Sequence, residues 1–440
     1  MSKTSQLFLA LLLCSFGQPL AAGLASGPML ASLEMREAKI WVQTDEPSIV
    51  RVNYAETGNT QTRQWSLPVE TDPKFTNTAT VVLPGIEPGK RYTYRIELNG
   101  DLETTAHQFR SPDFYHGRTP PPDFSFAVGG AHYKTEEGFE PPYQILGAGY
   151  GIFETIASAN PEFMLWLGNT AHLRSSDWTT QSGYLKRYSA ARGTAELRPL
   201  LAGIPHYATW GEADYGAPGT GALSSYRGYA ETAFRAFWPR PVEIAELPGI
   251  ATRFRYADVD FFLLDTRSHR NETPSSDQPF EILGKAQIEW LRQEVLRSEA
   301  TFKIIAAGAP ILNPAKSPGN LSFAETEQTN LLQTLRSEEI DGLFFLSGGK
   351  YYGELTRLVH ANSYNLFDLT VGPLTANPRD NREELNFFRM PGTSTFERHF
   401  AMLDVTGPED DRSITIRILS AEGNELWKRE IRASELKFAD

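Results

Sequence analysis

The stretch GLFFLSGGKYYGEL, residues 342–355, decides the fold expected of this chain. Its apolar run, residues 343–346, is too short for a typical helix and suits a central parallel strand that is covered on both faces. The glycine turn that begins at Gly348 would open at the carboxyl end of this strand, where open α/β sheets place their ligands. The stretch therefore predicts an α/β sheet with a pocket at the end of this strand.

Three further stretches have the same pattern of an apolar run followed by glycine and polar residues. They are FSFAVGGAHY at 124–133, FMLWLGNTAHLR at 163–174 and PHYATWGEADYG at 205–216. If each is a strand followed by a loop at the same edge of the sheet, four loops converge on one pocket.

In spacing and flanking residues, these four stretches resemble the PhoD-like (alkaline phosphatase D) metallophosphoesterases, and the resemblance covers nearly the whole chain. These are calcineurin-type enzymes that cleave phosphate esters with two metal ions. Members of the family read roughly Gly-Ser-Cys, Leu-Gly-Asp-Asn, Trp-Asp-Asp-His-Asp and Ser/Thr-Gly-Asp-Arg-His-His at these places. The resemblance implies an α/β fold, the calcineurin-like metallophosphatase four-layer sandwich, preceded by an all-β sandwich of the fibronectin III or Ig-like kind.

The resemblance also implies that the metal site is degenerate. The family's metal-bridging Asp corresponds to Asn169, whose neutral amide could not neutralise two cations about 3.5–4 Å apart. An acid and two imidazoles of the family correspond to Gly349, Tyr351 and Tyr352, and neutral phenol is a poor ligand near pH 7. Besides these four, the positions assigned to the old site hold Ala131, His132, Thr170, His172, Gly211, Glu212, Ala213, Asp214 and Lys350.

A single-ion site is the alternative to a metal-free pocket. The same loops carry His132, His172, Glu212 and Asp214. Two imidazoles and two carboxylates suit a borderline cation such as zinc. A lone histidine is, however, more often a hydrogen-bonded loop residue than a ligand. We therefore expect no cofactor, with one divalent metal as the alternative.

A metal-free pocket would suit a small anionic or sugar-like ligand. Lys350 supplies a point charge, and Tyr133, Tyr351 and Tyr352 supply aromatic faces and hydroxyls. The alternative is a protein partner that binds the β-sandwich. The net charge of −12 argues against nucleic acid, because a phosphate backbone selects clustered Lys and Arg.

The first residues predict an export signal, residues 1–22. Lys3 precedes an apolar core at 7–16, and the small residues at 20–22 offer a cleavage site before Gly23. A membrane anchor needs roughly 18 or more apolar residues, and Gly17, Gln18 and Pro19 interrupt this run too early. The expected location is therefore periplasmic or extracellular, with no membrane span. Because Cys14 is the single cysteine, the mature chain would contain no disulfide.

Two domains are expected after the signal. Residues 23–115 contain alternating apolar and polar runs separated by turns, which predict a β-sandwich with Tyr92 or Tyr94 as its corner tyrosine. The proline-rich segment 112–122 predicts a stiff linker. From 116 to 440, strands alternate with helical patterns, which predicts the α/β domain. The helical patterns lie at 144–159, 182–192, 226–237, 285–298 and 325–337.

The function expected from these features is that of an exported pseudophosphatase that acts by binding. The alternative is an active phosphomonoesterase or phosphodiesterase with a rebuilt or single-metal site. Neither a Gly-x-Ser-x-Gly elbow nor a Walker-type phosphate loop is present in the sequence, so serine-hydrolase and P-loop chemistry have no candidate residues.

Overall fold

The computed structural model describes residues 22–140, 146–272, 275, 279–360, 363–380, 382 and 384–438. The predicted export signal, including Cys14, lies outside these residues except for its last position. Among the described helices, none has the length and apolar character needed to cross a membrane.

The N-terminal region is a β-sandwich of two antiparallel sheets. Its strands are β1 (Leu24–Leu33), β2 (Glu37–Thr44), β3 (Ile49–Glu56), β4 (Gln64–Trp65), β5 (Val69–Glu70), β6 (Thr78–Pro84), β7 (Arg91–Leu98), β8 (Asp101–Leu102) and β9 (His107–Arg110). One sheet has the order β1-β2-β6 and the other β4-β3-β7-β8, with β5 beside β3 and β9 beside β7. Along β7 every second side chain is buried, as expected for a strand with one face on the core.

Tyr92 is the corner tyrosine of this sandwich. Its hydroxyl accepts a hydrogen bond of 2.8 Å from the backbone amide of Glu87, five residues upstream. Tyr94 has another role, because its hydroxyl donates to the carbonyl of Ala202 in the second region at 2.8 Å. The sequence did not decide between these two tyrosines, and the hydrogen bond to Glu87 identifies Tyr92.

The second region holds two larger sheets and the helices. Its strands are β10 (Phe124–Gly129), β11 (Met164–Leu167), β12 (His206–Thr209), β13 (Thr252–Tyr256), β14 (Val259–Leu264), β15 (Phe302–Ala307), β16 (Leu343–Ser347), β17 (Glu354–Leu358), β18 (Leu366–Thr370), β19 (His399–Thr406), β20 (Ser413–Ser420) and β21 (Glu425–Arg432). Its helices are α1 (Ile152–Ser158), α2 (Gln181–Arg192), α3 (Arg198–Gly203), α4 (Glu212–Tyr215), α5 (Arg227–Phe237), α6 (Lys285–Arg297) and α7 (Glu325–Ser337).

These elements form four layers. One six-stranded sheet has the order β12-β11-β10-β19-β20-β21, and the other β13-β14-β15-β16-β18-β17. Side chains from both sheets form one apolar core. Apolar side chains of α6 and α7 belong to the same core. The remaining helices pack on the outer face of the first sheet. The predicted fold class is confirmed, and β16 is the expected buried strand, parallel to both β15 and β18.

The predicted helix at 144–159 is shorter in the structure. Among the described residues it begins only at Ile152. Gly149 has φ +71°, a left-handed conformation that a right-handed helix cannot include. The short helices α3 and α4 were not predicted, because so few residues carry no readable helical period.

The sandwich is fixed to the second region at the ends of two helices. Trp41 Nε1 donates to the carbonyl of Ala236, near the end of α5, at 2.7 Å. Arg192, the last residue of α2, donates to Phe237 O at 3.0 Å and contacts Met29 Sδ at 3.0 Å. Trp41 and Arg192 thus donate to carbonyls in the last turn of α5, which the helix itself leaves unpaired, and these hydrogen bonds join the two regions.

Candidate functional site

The loops that follow β10, β11, β12 and β16 meet at one edge of the two sheets. The backbone amides of Ala131 and His132 donate to the carbonyls of Gly168 and Asn169, both at 2.9 Å. A Cβ on Gly348 would overlap the carbonyl oxygen of Leu167. The predicted convergence of the four strand ends is therefore what the structure has, and backbone packs directly against backbone there.

A cavity of about 840 Å³ opens beside these loops. The predicted site residues on its wall are Asn169, His172, Glu212, Ala213, Gly349, Lys350 and Tyr351. The predicted site residues that do not line it are Ala131, His132, Thr170, Gly211, Asp214 and Tyr352. The wall also includes side chains that were not predicted, namely Leu173, Trp178, Pro218, Ser317, Pro318, Arg379 and Glu384.

Asn169, which the resemblance aligns with the family's metal-bridging Asp, lies in the loop after β11. It is 3% exposed and has a left-handed backbone, with φ 54°. Its carboxamide oxygen accepts a hydrogen bond of 2.9 Å from the amide of Ala213, in the first turn of α4. One lone pair of this neutral oxygen is therefore used by the backbone.

Asp214 is a buried cap for the neighbouring loops. One carboxylate oxygen accepts from the amides of Thr170 at 2.6 Å and Ala171 at 2.8 Å. The other accepts from the amide of Gly211 at 2.9 Å. Burial raises the pKa of Asp214, against the opposing effect of these amide donors. Both oxygens are used to hold the loops together.

His132 is also engaged on both sides of its ring. Its Nδ1 lies 2.8 Å from Thr375 Oγ1, and its Nε2 lies 3.2 Å from the carbonyl of Ala191. Burial lowers the pKa of His132 to about 3. The side chain is a neutral structural group between two elements.

His172 and Tyr351 form a neutral pair on the cavity wall. His172 Nε2 lies 3.1 Å from the Tyr351 hydroxyl. Burial lowers the pKa of His172 to about 3 and raises the pKa of Tyr351 to about 12. The guanidinium of Arg379 lies 4.3 Å from the centre of the Tyr351 ring. At neutral pH this part of the wall therefore carries only the charge of Arg379.

The other charges on the wall are paired. Lys350 Nζ lies 3.3 Å from both carboxylate oxygens of Glu384. Burial acts to raise the pKa of Glu384, but Lys350 and hydrogen-bond donors outweigh it and the pKa is lowered. Glu212 lies 3.5 Å from Arg267. Arg379 is exposed and forms no ion pair with a described residue.

The residues present do not fit a two-metal centre. His132 and Asp214 point their polar atoms into hydrogen bonds away from the cavity, so the four candidate metal ligands are not gathered at one point. In the part of the chain that the structure describes, no group of three or more His, Asp or Glu side chains could hold an ion. Two close divalent cations require bridging carboxylate, and Asn169 supplies none.

Arg379 and Glu384 come from a loop that sequence reasoning did not assign to the site. They follow β18, which is parallel to β16 and adjacent to it. The loop after β18 must therefore reach the same edge as the loop after β16. The sequence alone does not show that β18 lies beside β16, and this is why the loop was missed.

Comparisons with known proteins agree with this architecture. The family model described as PhoD-like phosphatase matches residues 126–402, and a domain of unknown function, DUF7800, matches residues 21–115. A solved structure of PhoD is 15% identical, with 96% of this chain and 93% of that chain covered and a TM-score of 0.75. The purple acid phosphatase PPD1 from yellow lupin (Lupinus luteus) seeds is 13% identical, with 93% and 74% covered and a TM-score of 0.68. At these identities the two structures show the shared fold. No curated protein matches the chain significantly.

Proposed function

Because the chain belongs to the PhoD-like phosphatase family, we propose that it is an exported member that binds a small anionic ligand at the strand-end cavity and does not carry out two-metal hydrolysis. The observation that carries this proposal is the use of the Asn169 and Asp214 oxygens as acceptors for backbone amides. By the resemblance, Asn169 takes the place of the family's metal-bridging Asp and Asp214 that of another family Asp, and here their oxygens hold loops.

The charges at the cavity support an anionic ligand. Lys350 is neutralised by Glu384 and Glu212 lies near Arg267, so among the described residues of the wall Arg379 is the charge without an ion-pair partner. A guanidinium presents several donors in a plane and suits carboxylate, sulfate or phosphate groups. The cavity volume of about 840 Å³ lies within the range of small-molecule sites.

Metal content and hydrolysis test the proposal together. The purified protein is incubated with Mn²⁺, Zn²⁺ or Ca²⁺, dialysed and analysed for metal, and p-nitrophenyl phosphate and bis(p-nitrophenyl) phosphate are offered as substrates. We expect substoichiometric metal and no turnover above that of an Arg379→Ala preparation purified in parallel. Two equivalents of metal with chelator-sensitive turnover would instead support a two-metal phosphoesterase. One equivalent with turnover would support a single-metal site.

Export depends on the predicted signal at residues 1–22. Expression of the full chain in a bacterium with a periplasm, followed by cell fractionation and N-terminal sequencing, tests it. We expect the processed protein outside the cytoplasm, beginning at Gly23. An uncleaved cytoplasmic protein would contradict export and would leave the binding proposal unaffected.

A further inference from the structure

A second cavity, of about 410 Å³, lies between the sandwich, the linker and the second region. Its wall comes from the end of β1 and the turn after it, from residues within 110–116 and 122–124, from Glu162 before β11, and from the β13–β14 turn. It shares no lining residue with the strand-end cavity. Its lining is mostly apolar with a few polar groups, which is typical of a small-molecule site.

The cations on this wall are already neutralised. Arg110 donates to both oxygens of Asp113 at 2.7 and 2.9 Å. Arg255 donates to both oxygens of Asp260 at 2.6 and 2.7 Å. The third, Arg36, lies 2.7 Å from Glu87. An anionic ligand would therefore find no free positive charge here.

Two carboxylates on the wall, those of Glu34 and Glu162, have no ion-pair partner among the described residues. Glu162 accepts a hydrogen bond from the Tyr256 hydroxyl at 3.1 Å, and forms no ion pair with a described residue. Glu34 likewise has no ion-pair partner in the described chain. A third carboxylate, Asp123, is held by Arg412 at 2.7 Å. Arg110, which is paired with Asp113, also attracts Glu162 electrostatically. The wall thus carries more carboxylates than its arginines pair with directly.

Aromatic rings stand beside these carboxylates. The rings of Phe124 and Tyr256 lie 4.8 Å apart between centroids, and those of Tyr115 and His116 lie 4.2 Å apart. Ring faces attract cations through their quadrupole, and they also pack against apolar groups. Carboxylate together with aromatic rings is a setting that recognises an organic ammonium.

We propose that this interdomain cavity binds a small organic amine, whose ammonium group pairs with Glu162 and whose apolar body packs against Phe124, Tyr256 and Tyr115. The site is independent of the function proposed for the strand-end cavity. Because both regions contribute to the wall, a bound amine also stabilises their docked arrangement.

The test compares three probes of the same shape and different charge. Binding of 2-phenylethylamine, 2-phenylethanol and 3-phenylpropionate to the full chain is measured by calorimetry at pH 7. We expect the amine to bind about tenfold or more tightly than the alcohol, and the carboxylate not to bind. Equal binding of amine and alcohol, or no amine binding, would overturn the proposal.

Substitutions identify the group responsible. Glu162→Gln keeps an acceptor for Tyr256 and removes the charge, so the affinity for the amine should fall about tenfold, to that of the alcohol. Glu34→Gln provides a second reading should Glu162→Gln not fold. Arg379→Ala, in the other cavity, should leave amine binding unchanged. Unchanged affinity in both glutamate variants contradicts the assignment.

Discussion

The carboxamide oxygen of Asn169 accepts a 2.9 Å hydrogen bond from the backbone amide of Ala213. This bond ties the loop after β11 to the first turn of α4, and Asp214 ties the same two segments through its amide contacts. The side chains of Asn169 and Asp214 therefore stabilise loops. They act as caps, and a cation would have to compete with backbone amides for the oxygens of these two residues.

Restoring the acid at position 169 should not restore metal binding. In Asn169→Asp the new carboxylate would still accept from Ala213, and Asp214 would remain bound to its amides. A second buried carboxylate beside Asp214 should lower the free energy of unfolding by about 1–3 kcal/mol. Metal analysis after dialysis against Mn²⁺ and denaturant unfolding measure the two effects. Stoichiometric metal in this single variant would contradict the proposed role of Asn169.

Arg379→Ala should abolish anion binding at the strand-end cavity. Phosphate, sulfate and glucuronate serve as probes, and stabilisation against heat is the readout. Arg382→Ala is the matched control, since Arg382 is an exposed arginine three residues further on and lies 3.2 Å from Asp380. We expect the stabilisation to persist in the control. If both variants respond to anions as the unaltered protein does, Arg379 is not the binding group.

His206 should make the fold sensitive to acid. Its Nδ1 accepts from Trp166 Nε1 at 3.0 Å, and its Nε2 donates to Leu200 O at 3.1 Å. Protonation would place two donors opposite each other, and burial lowers the pKa of His206 to about 3. Between that value and about 6.5, the unfolded chain binds the proton and the folded chain does not, so stability falls as the pH falls.

The measurement is denaturant unfolding at pH 7, 6 and 5. One such histidine contributes up to about 1.4 kcal/mol per pH unit. His206→Asn can still offer an oxygen to Trp166 and cannot take up a proton. The slope of its unfolding free energy against pH should therefore be smaller, by the amount that corresponds to about one bound proton. The other buried histidines are the same in both proteins. Identical slopes would show that His206 is not the titrating group.

Arg192 should be essential for docking the sandwich. Its guanidinium lies 3.9 Å from the ring centre of Trp238, 5.3 Å from that of Trp41, and at the carboxyl ends of α2 and α5. Arg192→Met removes the cation–π contact and a charged hydrogen bond, so we expect a loss of about 3 kcal/mol. Cleavage by protease in the linker at 112–122 should also become faster.

Arg198→Met is the control for this prediction. Arg198 also reaches the sandwich, through a hydrogen bond of 3.4 Å to Ala25 O, but its side chain is exposed. Its removal should change the stability by less than about 0.5 kcal/mol. Equal losses of unfolding free energy in the two variants would show that the contribution of Arg192 to stability does not depend on its burial.

The sequence predicted those parts of the fold that local patterns encode. The apolar run of β16 and the glycines after it predicted both the sheet and the edge of the sheet at which the cavity lies. By contrast, β1 was not predicted, because Gly27 and Pro28 interrupt its strand pattern. Arg379 was not assigned to the site, since only the parallel pairing of β18 with β16 brings its loop to the cavity.

Residue type alone also could not fix the role of Asp214. A conventional carboxylate ligand and a carboxylate held by three amides look the same in sequence. Only the approach of the loops after β11 and β12 determines which donors reach its oxygens. For the same reason, His132 could be proposed as a ligand before its ring was seen between Thr375 and Ala191.

The close contact of glycine with backbone at the strand ends bears on any attempt to engineer phosphatase activity into this protein. At Gly348 and Gly308 a side chain would overlap the carbonyls of Leu167 and Trp210, and Gly349, with φ +73°, faces Gly308. Point substitutions that place acids or imidazoles at these glycines would therefore strain the backbone whether or not an ion binds. A successful redesign would first have to lengthen or separate the loops and only then install coordinating side chains.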